Sequence, residues 1–186
     1  QGEYLYLIDQ DAAAFTAIAI DFVIAIDTAG SPVKGDDAAP VSIVLFTDFQ
    51  CPYCIKLNPL LDQIYEKNKG KVKIIFKNMP LQFHQMAEPA ALAALAAGEQ
   101  GKFWEFHDKI FAAPQLNPAV MTKIAQDLGL DMTRFESDRT SPMLRQKLGK
   151  DMSDAQKAGV TGTPTIYING RKLKQRSPEG FQAMID

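Results

Sequence analysis

Val41-Ser42-Ile43-Val44-Leu45-Phe46-Thr47-Asp48-Phe49-Gln50-Cys51-Pro52-Tyr53-Cys54 is the stretch on which the reading of this chain turns. Residues 41–46 are apolar, rich in β-branched side chains and preceded by Pro40, which predicts a buried strand. After Cys54, the apolar residues Ile55, Leu57, Leu60, Leu61, Ile64 and Tyr65 recur at helical spacing up to Gly70. Cys51 therefore falls where a strand ends and a helix begins. Free N–H groups and the positive end of the helix dipole favour a thiolate there. Pro52 suits the first helical turn, where its missing N–H is no loss. Cys54, one turn further in, is expected to point inward and to be less reachable.

The two cysteines are the only ones in the chain. Chance gives two cysteines this C-x-x-C spacing about one time in a hundred. A purely structural bridge explains it poorly, because closing so short a loop stabilises by only roughly 2 kcal/mol before strain. The placement predicts a division of labour. Cys51 is the exposed nucleophile of low pKa, and Cys54 is the resolving thiol that closes or opens an intramolecular disulfide. Pro52 and Tyr53 between them are expected to tune the redox potential. Structural zinc is a poor rival, since His84 and His107 stand 23 residues apart and not at finger spacing. No metal site is expected, although soft-metal binding by the dithiol, copper(I) for instance, uses the same thiolates.

Composition bounds the rest. The 186 residues carry a formal charge of −2, which excludes a dominant basic face for nucleic acid or anionic lipid. The 46% hydrophobic content is that of a globular protein. A chain of this length buries roughly 70% of its unfolded surface and needs no disulfide staple. The most apolar stretch, residues 15–26, is too short for a membrane span and contains Asp21. Residues 1–30 lack the basic region of a signal peptide, the first lysine being Lys34, so a cytoplasmic protein or a mature or trimmed form is expected. The last residues, 181–186, read as a helix cut short.

A second signal lies far along the chain. Gly159-Val160-Thr161-Gly162-Thr163-Pro164-Thr165-Ile166-Tyr167-Ile168-Asn169-Gly170 reads as a loop entering a strand and ending in a tight turn, with Arg171 to Lys174 returning. Together with Phe46 to Cys54 it closely resembles the DsbA-like branch of the thioredoxin superfamily. Lys77-Asn78-Met79-Pro80-Leu81, followed by Gln100-Gly101-Lys102-Phe103-Trp104-Glu105, strengthens the likeness. The resemblance runs from about Pro32 to the C-terminus. It implies an α/β, thioredoxin-like fold with an inserted helical domain. It also implies that Pro164 is a cis-proline packed beside the dithiol, and that Thr163 and Pro164 form the substrate-binding edge. There the backbone of Thr163 can pair with an extended peptide.

The domain organisation follows. Residues 1–40 form an N-terminal extension. Ile18, Ile20, Phe22, Ile24 and Ile26 alternate as in a strand, expected at the sheet edge, with a dimerisation arm as the rival reading. Tyr4 to Ile8 reads as another strand, and Ser31-Pro32 with Gly35-Asp36-Asp37 reads as a linker. Residues 41–186 form the thioredoxin-like domain. Strand, helix and strand occupy 41–78, with Val72 to Phe76 the second strand; strand, strand and helix occupy 158–186. The helical insertion spans about 79–157, with helices expected over 86–97, 102–112, 118–128, 131–136 and 142–158.

Other residues read less pointedly. Asp48 suits a polar contact at a strand end better than proton transfer. His84 suits loop packing, though it stands within reach of the active-site face. Trp104 and His107 suit packing within the helical lobe. Arg171, Lys172, Lys174 and Arg176 suit a solvated hairpin. Thioredoxin carries a buried acid six residues before its first cysteine, whereas this chain has Leu45.

The resemblance implies a thiol–disulfide oxidoreductase of an extracytoplasmic compartment. It would need no cofactor, act on cysteine-containing protein substrates and be recycled by a redox partner. Oxidation is expected over the isomerase or reductase chemistry of DsbC and DsbG relatives, because 40 residues are too few for their dimerisation domain. A dithiol copper-binding or chaperone-like module is the alternative from another class.

Overall fold

The computed structural model describes residues 22–186 in full and the backbone of two N-terminal strands, β1 (Tyr4–Ile8) and β2 (Phe15–Ala19). These two pair antiparallel as a two-stranded sheet. The main sheet has five strands: β3 (Val33–Lys34), β4 (Val41–Thr47), β5 (Val72–Asn78), β6 (Thr165–Ile168) and β7 (Arg171–Lys172). Their spatial order is β3-β5-β4-β6-β7. β4 runs parallel to β5 and antiparallel to β6, and so sits at the centre. A parallel pair needs a crossover, which α1 (Pro52–Lys67) supplies. Between β5 and β6 come five helices: α2 (Ala87–Gly98), α3 (Phe103–Ala112), α4 (Pro118–Asp127), α5 (Met132–Asp138) and α6 (Pro142–Lys157). α7 (Pro178–Ile185) follows β7. The chain thus has the expected thioredoxin-like arrangement with helices inserted between its halves.

The pleat of β4 sends successive side chains to opposite faces. Val41, Ile43 and Leu45 join the larger core, with Leu57, Leu61 and Ile64 of α1 and Phe181 and Ile185 of α7. Val44 and Phe46 join a smaller core on the other face, with Ile75, Tyr167 and Ala155 of α6. The Asn169-Gly170 turn takes positive φ at both residues (47° and 77°), as a two-residue hairpin demands. Only glycine fits the second place, because a Cβ there would lie 2.6 Å from the Ile24 carbonyl oxygen.

The N-terminal reading needs correction. Of the alternating isoleucines, Ile18 lies in β2 and Ile20 lies outside the described residues. Residues 22–26 form no strand. Ile24 and Ile26 still pack on the smaller core, and the Ile24 N–H donates to the Gly170 carbonyl at 2.8 Å. That backbone meets a turn and not a strand edge, so a ladder has nothing to form on. The edge position on the β5 side belongs to β3, inside the stretch read as a linker. The returning strand after Gly170 is also shorter than expected, ending at Lys172.

The smaller core contains a feature that hydropathy does not suggest. Lys77 of β5 is fully buried, with its Nζ 3.1 Å from Asp151 Oδ1 and 2.9 Å from Asp154 Oδ2 on α6. Asp151 Oδ2 also accepts from the backbone and side-chain nitrogens of Asn78, both at 3.0 Å. Lys150 reaches Asp154 at 3.0 Å and Asp27 at 2.8 Å. The lysine therefore fixes α6 to the sheet, and a charge left behind without its partner would be expensive. Lys77→Met should lower unfolding stability by about 3–5 kcal/mol, read from urea denaturation.

On the larger face, His107 sits among Phe49, Phe76, Trp104 and Phe111, with ring centroids 4.8–5.8 Å away. Its Nδ1 lies 2.8 Å from Asp108 Oδ1. Burial holds its pKa below the ordinary 6.5, against the pull of Asp108. A folded imidazole that resists protonation gives stability that is complete above 6.5 and falls as the pH drops below it, where the unfolded chain takes the proton first. Urea midpoints measured from neutral pH downward should show this decline, and His107→Phe should remove its part of the slope.

Candidate active site

β4 delivers the chain to the site and α1 carries it away. Four helices begin on a side-chain oxygen that accepts a backbone N–H, Asn117 for α4, Asp131 for α5, Ser141 for α6 and Ser177 for α7, while α2 and α3 have no side-chain cap. α1 begins on Cys51, extended at φ −72° and ψ 122°, with Pro52 in the first turn and no side-chain cap. A sulfur thus occupies the place where those four helices have a capping oxygen. The Cys51 N–H donates to the Asp48 carbonyl at 3.1 Å, and the Cys54 N–H donates to the Cys51 carbonyl at 3.0 Å. Both thiols are free. Pro52 is exposed, and Tyr53 is 69% exposed at the rim.

The loop before β6 closes over this point. The Thr163–Pro164 peptide is cis, and Cys51 Sγ lies 3.6 Å from the Thr163 carbonyl oxygen. Thr165 Oγ1 donates to the Gly162 carbonyl at 2.7 Å and fixes the loop. The structure therefore brings together Cys51, Cys54, Thr163 and Pro164, residues the sequence had marked in two distant segments. It corrects one expectation. Cys51 is not exposed; its relative exposure is 3%, the same as that of Cys54, because the Thr163 backbone covers it.

Cys54 points into the larger core as expected. Burial pushes its thiol up to about 12. The Thr47 hydroxyl, the Asp48 backbone and the Thr163 hydroxyl act in the opposite sense, and the neighbouring Cys51 adds to the rise. The Thr163 hydroxyl is buried and makes no full hydrogen bond among the described residues, so its pull on the sulfur is weak. Leu45 lies buried in the same core, where thioredoxin has its acid. Thr47 was visible in the sequence only as part of a motif; nothing local marked its hydroxyl as facing the inner sulfur.

Asp48 and His84 form the other support. Asp48 is buried, and its Oδ1 accepts from the Gln50 N–H at 2.7 Å. Its Oδ2 accepts from the Leu81 N–H at 2.9 Å and pairs with His84 Nδ1 at 2.7 Å. Gln50 Oε1 in turn accepts from the Met86 N–H at 2.7 Å. The carboxylate is thus a strut between the active-site turn and the 81–86 loop. His84 packs in that loop and also braces the site. Among the described residues, no group of three or more His, Cys, Asp or Glu is placed to hold a metal ion, and no helix is long and apolar enough to cross a membrane.

Known proteins resemble this chain in sequence and fold. Residues 27–186 match the family model described as thioredoxin. A probable disulfide bond formation protein D of Bacillus anthracis is 33% identical, over 73% of this chain and 68% of that one. A crystal structure of oxidised BdbD from Bacillus subtilis superposes with a TM-score of 0.77 at 26% identity, covering 86% of this chain and 93% of that one. A Na(+)/H(+) antiporter of Salinispora tropica is 36% identical over 89% of this chain, but the chain spans only 25% of the antiporter's length. The chain belongs to the thioredoxin family. Within it, the chain is similar in sequence to the disulfide bond formation protein D and in fold to BdbD.

The inner thiol gives a direct check. In a Cys51→Ser variant, the ultraviolet absorbance of a thiolate should be absent at pH 9.0, the ordinary thiol value, and appear only well above it. Half-ionisation at pH 9.0 would show that Cys54 is not buried as described.

Proposed function

We propose that this chain exchanges a Cys51–Cys54 disulfide with the cysteines of extracytoplasmic protein substrates, acting as the oxidant. The observation that carries the reading is the 3.6 Å approach of Cys51 Sγ to the Thr163 carbonyl at the start of α1. Cys51, at the start of α1 beside the cis-proline loop, is the sulfur a substrate meets in this reading, with Cys54 one turn further into the helix.

A substrate thiolate attacks Cys51 Sγ and the Cys51–Cys54 bond breaks. Cys54 leaves with the electron pair and takes a proton, and a mixed disulfide joins Cys51 to the substrate. A second substrate thiolate then attacks the substrate sulfur of that bond. The substrate gains a disulfide and loses two electrons, and the dithiol is left reduced. Cys54 is the resolving thiol in the reverse direction, where its high pKa makes it a strong nucleophile once deprotonated. Pro52 and Tyr53 set the potential from between the sulfurs. The backbone of Thr163, with Pro164, offers an edge to which an extended substrate can pair. No cofactor takes part, and a redox partner removes the two electrons to renew the disulfide.

The relative named for disulfide bond formation supports the oxidising direction. The absence of further cysteines suits an extracytoplasmic setting, because no wrong pairing within the chain is open to it. The test pairs oxidation of a reduced two-cysteine peptide with refolding of scrambled ribonuclease. The wild-type disulfide form should oxidise the peptide, and Cys51→Ala should lose that activity by at least about 10³-fold. Peptide oxidation surviving in Cys51→Ala overturns the nucleophile assignment, and strong isomerisation with weak oxidation overturns the direction.

A further inference from the structure

The basic residues near the C-terminus are unevenly placed. Between Ala155 and Pro178 the sequence holds Lys157, Arg171, Lys172, Lys174 and Arg176 and no aspartate or glutamate, although the whole chain carries a formal charge of −2. Sequence alone reads such a run as a solvated hairpin. The fold gives part of it an address. A cleft of about 290 Å³ is bounded by Thr161, Thr163 and Pro164 together with Lys172 and Arg176, and no acidic residue lines it. Thr163 is the residue whose carbonyl oxygen lies 3.6 Å from Cys51 Sγ, so the cleft starts at the residue that touches the reacting sulfur.

Two contacts fix the backbone that carries these cations. The Leu173 N–H donates to the Ile166 carbonyl at 2.9 Å, and the Leu173 side chain enters the larger core. The pairing of β6 with β7 is thereby prolonged by one residue beyond Lys172. The first turn of α7 packs so closely on the 174–176 segment that a Cβ on Gly180 would collide with the Gln175 carbonyl oxygen. The side chains of Lys172 and Arg176 are exposed. Lys34, Lys71, Lys102 and Lys123 each reach a carboxylate at 3.2 Å or less. Lys172 and Arg176 reach none among the described residues, so their charge is not balanced from within the cleft.

We propose that this cleft makes the chain select substrates with a carboxylate side chain beside the reacting cysteine, held by Lys172 and Arg176. The inference rests on the oxidoreductase reading above, and it concerns the choice among substrates, not the pairing of their backbone with Thr163. The chemistry gives the two cations a double effect. They attract the acidic segment to the sulfur. They also offset a handicap of such substrates, because a carboxylate beside a cysteine disfavours the thiolate that must attack. Exposed ion pairs are weak and screened by salt, so the preference is several-fold and depends on ionic strength.

The full chain in its disulfide form is mixed with three reduced two-cysteine peptides, alike except that glutamate, glutamine or lysine flanks each cysteine. The second-order rate constant for each is divided by that of the same peptide with an uncharged disulfide, 2-hydroxyethyl disulfide, which removes the peptide's own reactivity. The glutamate peptide should lead the lysine peptide by about tenfold at ~20 mM ionic strength and by about twofold at ~0.5 M. Lys172→Gln and Arg176→Gln should each cut the low-salt lead about threefold, and the two together should abolish it. Lys172→Glu with Arg176→Glu should reverse the order. Lys123→Gln removes the same charge from α4, far along the helical lobe, and should leave the order as it is. Equal rates for the three peptides, with oxidation intact, overturn the proposal. So does a lead that survives the double glutamine variant, or one that Lys123→Gln lowers as much as Lys172→Gln does, which would assign it to net charge. A wild-type protein that oxidises none of the peptides overturns the oxidoreductase reading itself, a failure distinct from failure of the charge preference.

Discussion

The approach of the Thr163 carbonyl to the Cys51 sulfur holds the functional architecture together. It joins residues 112 positions apart, and each side of it depends on a different half of the fold. On one side, β4 and α1 meet at Cys51, so that the sulfur lies at a helix start with no competing cap. On the other, β6 is locked antiparallel against β4 from Ile43 to Phe46, which sets the loop before β6 directly over the end of β4. Loss of register between these strands would move the carbonyl off the sulfur and turn the β6 side chains to the wrong faces.

The inserted helices can be large because both of their attachments are anchored near this contact. At the entry, Asp48 and Gln50 hold the 81–86 loop through backbone N–H groups and His84. At the exit, Lys77 binds Asp151 and Asp154 of α6, and the Tyr167 hydroxyl donates to the Ala158 carbonyl at 2.6 Å. The helical lobe is thereby referenced to the dithiol at two points.

What the sequence revealed divides along physical lines. The strand before Cys51 and the helix after Cys54 were legible because each has a local apolar pattern, whereas α2, buried on every side, was legible from its alanine content. The two halves of the site were legible because Cys51-Pro52-Tyr53-Cys54 and Thr163-Pro164 are compact motifs. The burial of Cys51 was not, because it is imposed by backbone from the far half of the chain. Lys77 was equally hidden, since a charged residue in a strand tells nothing of two aspartates 74 and 77 positions later. Residues 22–26 misled for a different reason. Alternation reports which side chains are buried, and Ile24 and Ile26 are; it does not report whether the backbone finds a neighbouring strand.

The same contacts determine how the inner thiol can gain and lose its proton. Leu45 removes the acid that thioredoxin places behind its cysteines, and Asp48 cannot replace it. All of its tight contacts run to Gln50, Leu81 and His84, and releasing any of them to carry a proton would loosen the turn that presents Cys51. Apart from the Cys51 sulfur, what faces Cys54 is neutral: the Thr47 hydroxyl, the Asp48 backbone and the Thr163 hydroxyl. Such groups ease ionisation of a buried sulfur without adding a like charge beside it, yet they leave its pKa far above the ordinary range. The reduced dithiol therefore keeps its inner proton at neutral pH.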